Sequence, residues 1–307
     1  MAAFRRLQTY DYAQGGSMFI SFHLEPRVSA LDDVMSDGRM RLSLAGELLA
    51  ETIRIEREKR PRLVVRSWQI MPDHLHFRLT FPSGLREPLR QIGRFVQEIK
   101  RWSIAKMARV GLRLAWQENY HDRLCLSRAV NEHVDEYIRL NPLKWALMHG
   151  PDPPMKVIEP LDSPLLEAHE WWAGVGNAAL LDGARPLLAV RLSRCLRPED
   201  ARQVLSGLLA ECRRGLVPIS TFISPLEVAF FNCLAREGLP MVAVVPDPLK
   251  TVHRPRVEQT PLFAQNRLLL LSHLQEDALS RCDAWHNLNS DIARIAQASG
   301  GKAIYVR

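Results

Sequence analysis

Met71-Pro72-Asp73-His74-Leu75-His76-Phe77-Arg78 is the stretch from which the first half of this chain is best read. Before it, Leu63–Ile70 (LVVRSWQI) is β-branched and apolar; from His74 to Phe81 apolar and polar residues alternate with period two. A Met-Pro-Asp turn between two such runs predicts a hairpin. On a strand, residues two apart share a face, so His74 and His76 project together with Arg78 beyond them. Leu75, Phe77 and Leu79 point to the opposite, core side. On a helix the two imidazoles would splay about 200° apart. Two imidazoles on one strand face can reach a single divalent cation; they also suit an ordinary solvated strand face.

Working outward, Met18–Leu24 reads as a strand and Arg41–Lys59 as an amphipathic helix. A second helix runs from about Pro88 to Val110, with Leu85, Leu89, Ile92, Val96 and Ile99 on one face. Arg90, Arg94, Gln97 and Arg101 fall on another. Short strands are expected over Arg113–Trp116 and Arg123–Leu126. A third helix is expected from Ser127, as N-cap, to Pro142 or just past it. On that helix Val130, Val134 and Ile138 form a core stripe, while His133, Tyr137 and Asn141 form a second stripe of imidazole, phenol and carboxamide. By itself Tyr137 is an amphipathic packing residue and Asn141-Pro142 a helix stop.

Residues 150–162 hold four prolines and mark a boundary. Beyond it, strand-like Leu187–Leu192 and Met241–Val245 alternate with helix-like Glu199–Arg213 and a helix opened by Ser224-Pro225-Leu226-Glu227. That quartet is a capping box with proline at the first helical position. The rhythm predicts a small α/β layer fold. The expected division is 1–150, a proline-rich linker over 151–185, and 186–307.

The 307 residues are 47% hydrophobic and 24% charged, which excludes a disordered chain and leaves room for two cores. No apolar run approaches the roughly 20 residues of a membrane helix. Met1–Tyr12 lacks the apolar core of a secretion signal. Five scattered cysteines without a CxxC pair suit reduced thiols, and a cytoplasmic location is expected. Residues 1–150 carry 24 Lys/Arg against 17 Asp/Glu, whereas 151–307 carry 17 of each, so the whole +7 lies in the first half. A basic module beside a neutral one points to a polyanionic partner for the first.

The order of these motifs narrows the reading. MPDHLH on a strand, a basic helix, Trp116-Gln117-Glu118-Asn119-Tyr120-His121-Asp122-Arg123, and then Tyr137-Ile138-x-x-Asn141-Pro142 together resemble the single-tyrosine HUH transposases, in particular the REP-associated tyrosine transposase branch. The resemblance covers roughly residues 15–148. It implies an α/β (α+β) domain with a central antiparallel sheet flanked by helices, followed here by a small Rossmann-like α/β domain.

The resemblance further implies that His74 and His76 bind Mg2+ or Mn2+, that Tyr137 is the nucleophile, and that Asn141 is a candidate third ligand. The implied activity is cleavage and rejoining of single-stranded or hairpin repeat DNA through a 5′-phosphotyrosine. Asp73 stands where the family commonly has asparagine; Leu140 and Lys144-Trp145 also depart from its usual tail. Arg90, Arg94 and Arg101 are candidate phosphate contacts and Trp116 a candidate base-stacking ring, with Trp102 expected in the core. His121, Asp122 and His133 rank behind these. The alternatives are an HUH replication or mobilisation nuclease and a domesticated, catalytically silent DNA-binding regulator. Whether the site is built within one subunit or across a homodimer stays open. The second half is loosely similar to Rossmann-like nucleotide-sensing domains, without a glycine-rich fingerprint.

Overall fold

The computed structural model describes residues 9–150, 155–167, 171–194, 196–249, 252–273 and 281–306, side chains of 281–286 excepted. The chain forms two compact units, Met1–Ala146 and Leu147–Arg307.

In the first unit, β1 (Gly16–His23), β4 (Val64–Met71), β5 (His74–Phe81) and β6 (His121–Leu124) form an antiparallel sheet in the order β4-β5-β1-β6. The expected hairpin is β4-β5, with Met71 opposite His74. Alternation along β1 and β5 places Ile20, Phe22, Leu75, Phe77 and Leu79 in one core with α1 (Leu44–Glu58) and α2 (Pro88–Arg109). The short pair β2 (Asp32–Val34) and β3 (Met40–Leu42) precedes α1. Ser43 caps α1 by accepting the Gly46 N–H. Gly46 has no substitute there, because a Cβ would stand 2.0 Å from the Leu31 carbonyl oxygen.

The opposite sheet face carries the polar residues of β1 and β5 and is met by α3 (Arg128–His149), through Val134, Ile138 and Cys125, with Phe19 and Tyr137 at the edge. Three expectations change here. The strand after Asn119-Tyr120 is His121–Leu124 rather than Arg123–Leu126, and Arg113–Trp116 contributes only an isolated bridge, Trp116 to Leu24. Asn141-Pro142 also does not end the helix, which continues to His149. Proline forfeits one backbone bond, yet Leu140 before it and Ala146 and Leu147 after it are buried, and that packing holds the helix together.

The second unit holds a six-stranded sheet. It comprises β7 (Trp172–Gly176), β8 (Leu187–Leu192), β9 (Val217–Ser220), β10 (Met241–Val245), β11 (Leu268–His273) and β12 (Lys302–Val306), in the order β12-β8-β9-β10-β11-β7. All neighbours run parallel except β7, which pairs antiparallel with β11. Helices α4 (Pro198–Arg213), α5 (Pro225–Glu237) and α6 (Thr260–Ala264) pack on one face and α7 (Arg281–Ala298) on the other. The capping box at Ser224 and Glu227 is present as expected.

The linker expected over 151–185 is corrected: this stretch supplies β7, and Met155, Leu161, Leu165 and Trp172 are buried in the second unit's cores. Residues 151–154 lie outside the described residues. Among the described residues, Cys125, Cys212 and Cys233 are free thiols, while Cys195 and the Cys282 side chain lie outside them. No described helix is long and apolar enough to cross a membrane.

Candidate active site

Directly opposed residues of an antiparallel sheet point to the same face. His74 is opposite His23 on β1, and His76 is opposite Ser21, which is itself opposite His121 on β6. Four imidazoles therefore share the α3 side of the sheet. Their closest approach is between the Nε2 atoms of His74 and His76, 2.9 Å apart. His23 stacks at a tilt against His74, with centroids 4.8 Å apart.

Asp73 directs this pair. Its Oδ1 lies 2.5 Å from His74 Nδ1, so that nitrogen carries the proton and Nε2 presents a lone pair. Burial pushes the Asp73 carboxyl upward most strongly, but the His74 hydrogen bond together with the electrostatic pull of His74, His23 and Arg27 outweighs it and holds the group below the usual carboxylate range. His76 is held well below its ordinary value, chiefly by burial and then by His74, and His23 falls to about 4 for the same reasons. Both are neutral at physiological pH, the state in which an imidazole can ligate a metal.

The Tyr137 ring sits 5.4 Å from that of His76 and 5.8 Å from Phe19, which meets it edge-on. Asn141 lies beside its hydroxyl, one helical turn on; burial raises the phenol above its ordinary value and the Asn141 side chain opposes the rise. The stripe of Tyr137 and Asn141 thus faces the histidine face of the sheet, while His133 is exposed.

The helix is seated by a fork that sequence reading missed. Arg78, buried on the same face as the histidines, donates from Nε to Asp135 Oδ1 at 2.7 Å and from Nη2 to Oδ2 at 2.6 Å. Its Nη1 donates to Ser17 Oγ and Asn131 Oδ1, and Ser67 Oγ donates to Asp135. Asp135 stands two residues before Tyr137, so β4, β5 and β1 jointly fix the height and rotation of α3.

A cation fits this face. Two ligands at about 2.1 Å from one ion, at right angles, stand about 3.0 Å apart, close to the observed Nε2 separation of 2.9 Å. His76 Nδ1, Ser21 Oγ and Asn141 Nδ2 are buried without hydrogen-bond partners. Among the described residues no cluster of three or more His, Cys, Asp or Glu side chains could hold a metal, so an ion here would meet at most two imidazoles of such a set. That donor set leaves positions for water and phosphate oxygens.

The basic residues are placed elsewhere. Arg90, Arg94 and Arg101 are exposed on α2, across the sheet from the histidines. Arg90 pairs with Glu87 at 3.0 Å. The two tryptophans exchange their expected environments. Trp116 packs edge-on against Phe22 and donates Nε1–H to Ser103, whereas Trp102 is exposed beneath the Arg101 guanidinium. Trp116 continues the alternation of Leu112 and Leu114 that packs on the core, a signal already carried by the sequence.

No family model and no curated protein sequence matches the chain. Among solved structures it is similar to a REP-associated tyrosine transposase bound to a REP hairpin, at 24% identity over 47% of this chain and 74% of that one, with a TM-score of 0.36. It is also similar to a candidate transposase from Deinococcus radiodurans R1, at 18% identity over 44% and 96% of the two chains, with a TM-score of 0.27.

Proposed function

We propose that the first unit is a metal-dependent single-strand DNA transposase that cuts and rejoins hairpin or repeat DNA through Tyr137. The observation that carries this reading is the pair of Nε2 atoms, 2.9 Å apart, on the same face as the Tyr137 ring.

His74 and His76 would hold Mg2+ or Mn2+, with Asn141 as a candidate third ligand. The ion, when bound, would polarise the scissile phosphate and stabilise the developing charge. Asp73 holds the proton on His74 Nδ1 and so keeps Nε2 available. The Tyr137 phenol, neutral at physiological pH, loses its proton as its oxygen attacks phosphorus. The P–O bond to the 3′ oxygen breaks, that oxygen takes up a proton, and the DNA 5′ end stays on Tyr137 as a phosphodiester. A second 3′-hydroxyl reverses the step and joins strands without an external energy source. The net positive charge of the first half suits a nucleic-acid partner.

The test is covalent trapping. Labelled single-stranded hairpin oligonucleotides are incubated with wild type and Tyr137→Phe, each with manganese or with chelator. A denaturant-stable adduct formed only by wild type with metal supports the reading. Binding without any adduct overturns it in favour of the silent regulator, and strand cleavage without transfer favours the replication or mobilisation nuclease.

A further inference from the structure

The second unit contains a cleft that the DNA chemistry does not use. Its parallel strands advance in one direction from β8 to β11, with α4, α5 and α6 on one face; α7 then carries the chain back across the other face to β12, beyond β8. The strand order therefore reverses between β8 and β12. In open α/β sheets the carboxyl ends of the strands at such a reversal form a crevice suited to ligands. A cavity of about 1110 Å3 lies there, lined by the ends of β8, β9 and β12, the start of α5 and one side of α7. Small-molecule and cofactor sites run to about 1,000 Å3.

Its chemistry is that of an anion site with an aromatic wall. Arg191 and Arg194 are exposed at the end of β8 and form no ion pair among the described residues. The third lining arginine, Arg294, is engaged by Glu167 at 2.9 Å and Asp291 at 3.5 Å. The one lining carboxylate, Glu227, is fully committed to the framework. It accepts the Leu192 N–H on one oxygen and the Ile223 and Ser224 N–H groups on the other, tying the end of β8 to the start of α5. Positive side-chain charge is thus left facing the space. Tyr305 is opposite Arg191 in the β8–β12 register, so both project from one sheet face, and Tyr305 is 50% exposed. A guanidinium pair recognises phosphate, and a ring beside it recognises a planar base.

We infer that this cleft binds a free nucleotide, its phosphate on Arg191 and Arg194 and its base against Tyr305. The inference stands apart from the strand-cleavage reading, since it uses no residue of the first unit.

The full chain is titrated calorimetrically with AMP, ATP, adenosine, inorganic phosphate and an unstructured oligodeoxynucleotide, as wild type, as an Arg191→Ala/Arg194→Ala double variant and as Tyr305→Ala. Each arginine lost from a phosphate is expected to weaken nucleotide binding by about tenfold. Tyr305→Ala is expected to weaken AMP but not inorganic phosphate. Both sites are exposed, and unchanged thermal unfolding of the variants confirms intact folding. Three outcomes overturn the inference: no nucleotide binds, the double variant binds nucleotides as wild type does, or inorganic phosphate binds as tightly as AMP. An arginine-dependent interaction with the oligodeoxynucleotide alone also overturns it.

Discussion

Replacing Asp135 by asparagine removes the charge from the fork that seats α3 while keeping the side chain's size. Two bonds of 2.7 and 2.6 Å join it to Arg78, whose side chain is 9% exposed. Breaking a fully buried pair costs about 3–5 kcal/mol. Asp135, however, is 38% exposed, so water re-solvates part of the loss. Arg78 also keeps Ser17 and Asn131 as acceptors. The expected destabilisation of the first unit is therefore about 2 kcal/mol.

Urea unfolding at neutral pH measures it, and a double-mutant cycle with Arg78→Met isolates a coupling of about 1.5 kcal/mol. The sign of the pH dependence follows from the net downward displacement of the Asp135 carboxyl: burial raises it, but the bonds from Arg78 and Ser67 prevail. A depressed carboxyl contributes stability above its unfolded value, near 3.9, and loses it as pH falls through the folded value. The gap between wild type and Asp135→Asn should close in acid. DNA cleavage should fall further than stability predicts, by up to about 100-fold, because a displacement near 1 Å of the nucleophile is enough. A coupling below about 0.5 kcal/mol would refute the claim that this fork positions Tyr137.

Three further outcomes are expected. Asp73→Ala frees the His74 ring and should weaken manganese binding about 10–100-fold by calorimetry, leaving the secondary structure seen by circular dichroism unchanged. Single-turnover cleavage should rise with pH from about 6 to 9 without a plateau, because burial holds the Tyr137 phenol above its ordinary value near 10; an acid limb governed by a group near 6.5 would contradict this. Burial lifts Asp32 to about 6 against the nearby backbone N–H groups of Arg41 and Asp33. The native state thus holds that proton more tightly than the unfolded chain, and wild-type stability declines as pH rises from about 4 through 6. Asp32→Asn should remove up to about 3 kcal/mol of that decline in urea melts, and identical pH profiles would exclude the assignment.

The parts of the site legible in the sequence are those set by local periodicity. The β4-β5 hairpin, the shared face of His74 and His76, the helix carrying Tyr137 and the capping box at Ser224 all follow from spacings of two, three or four residues. The Arg78–Asp135 fork spans 57 positions and needs the helix docked before it can be seen. His23 had the right alternation on β1, but its place beside His74 depends on register. Pro142 misled as a local breaker because tertiary burial on both sides outweighs one lost bond. The stretch after residue 150 misled because its prolines point to a linker, while the strand within it, Trp172–Gly176, is five residues long with two glycines.

The hairpin turn has one more consequence. Backbone N–H groups of Leu24, Ala30 and Leu31 donate to the carbonyls of Asp73 and Pro72, pinning the turn from outside. The strand that follows therefore counts its residues from a fixed origin, and odd and even positions have opposite fates. Inserting or deleting one residue between Pro72 and His74 would present Leu75 and Phe77 to Tyr137 and turn the imidazoles into the apolar core. The chain can therefore vary in the chemistry of this segment far more freely than in its length.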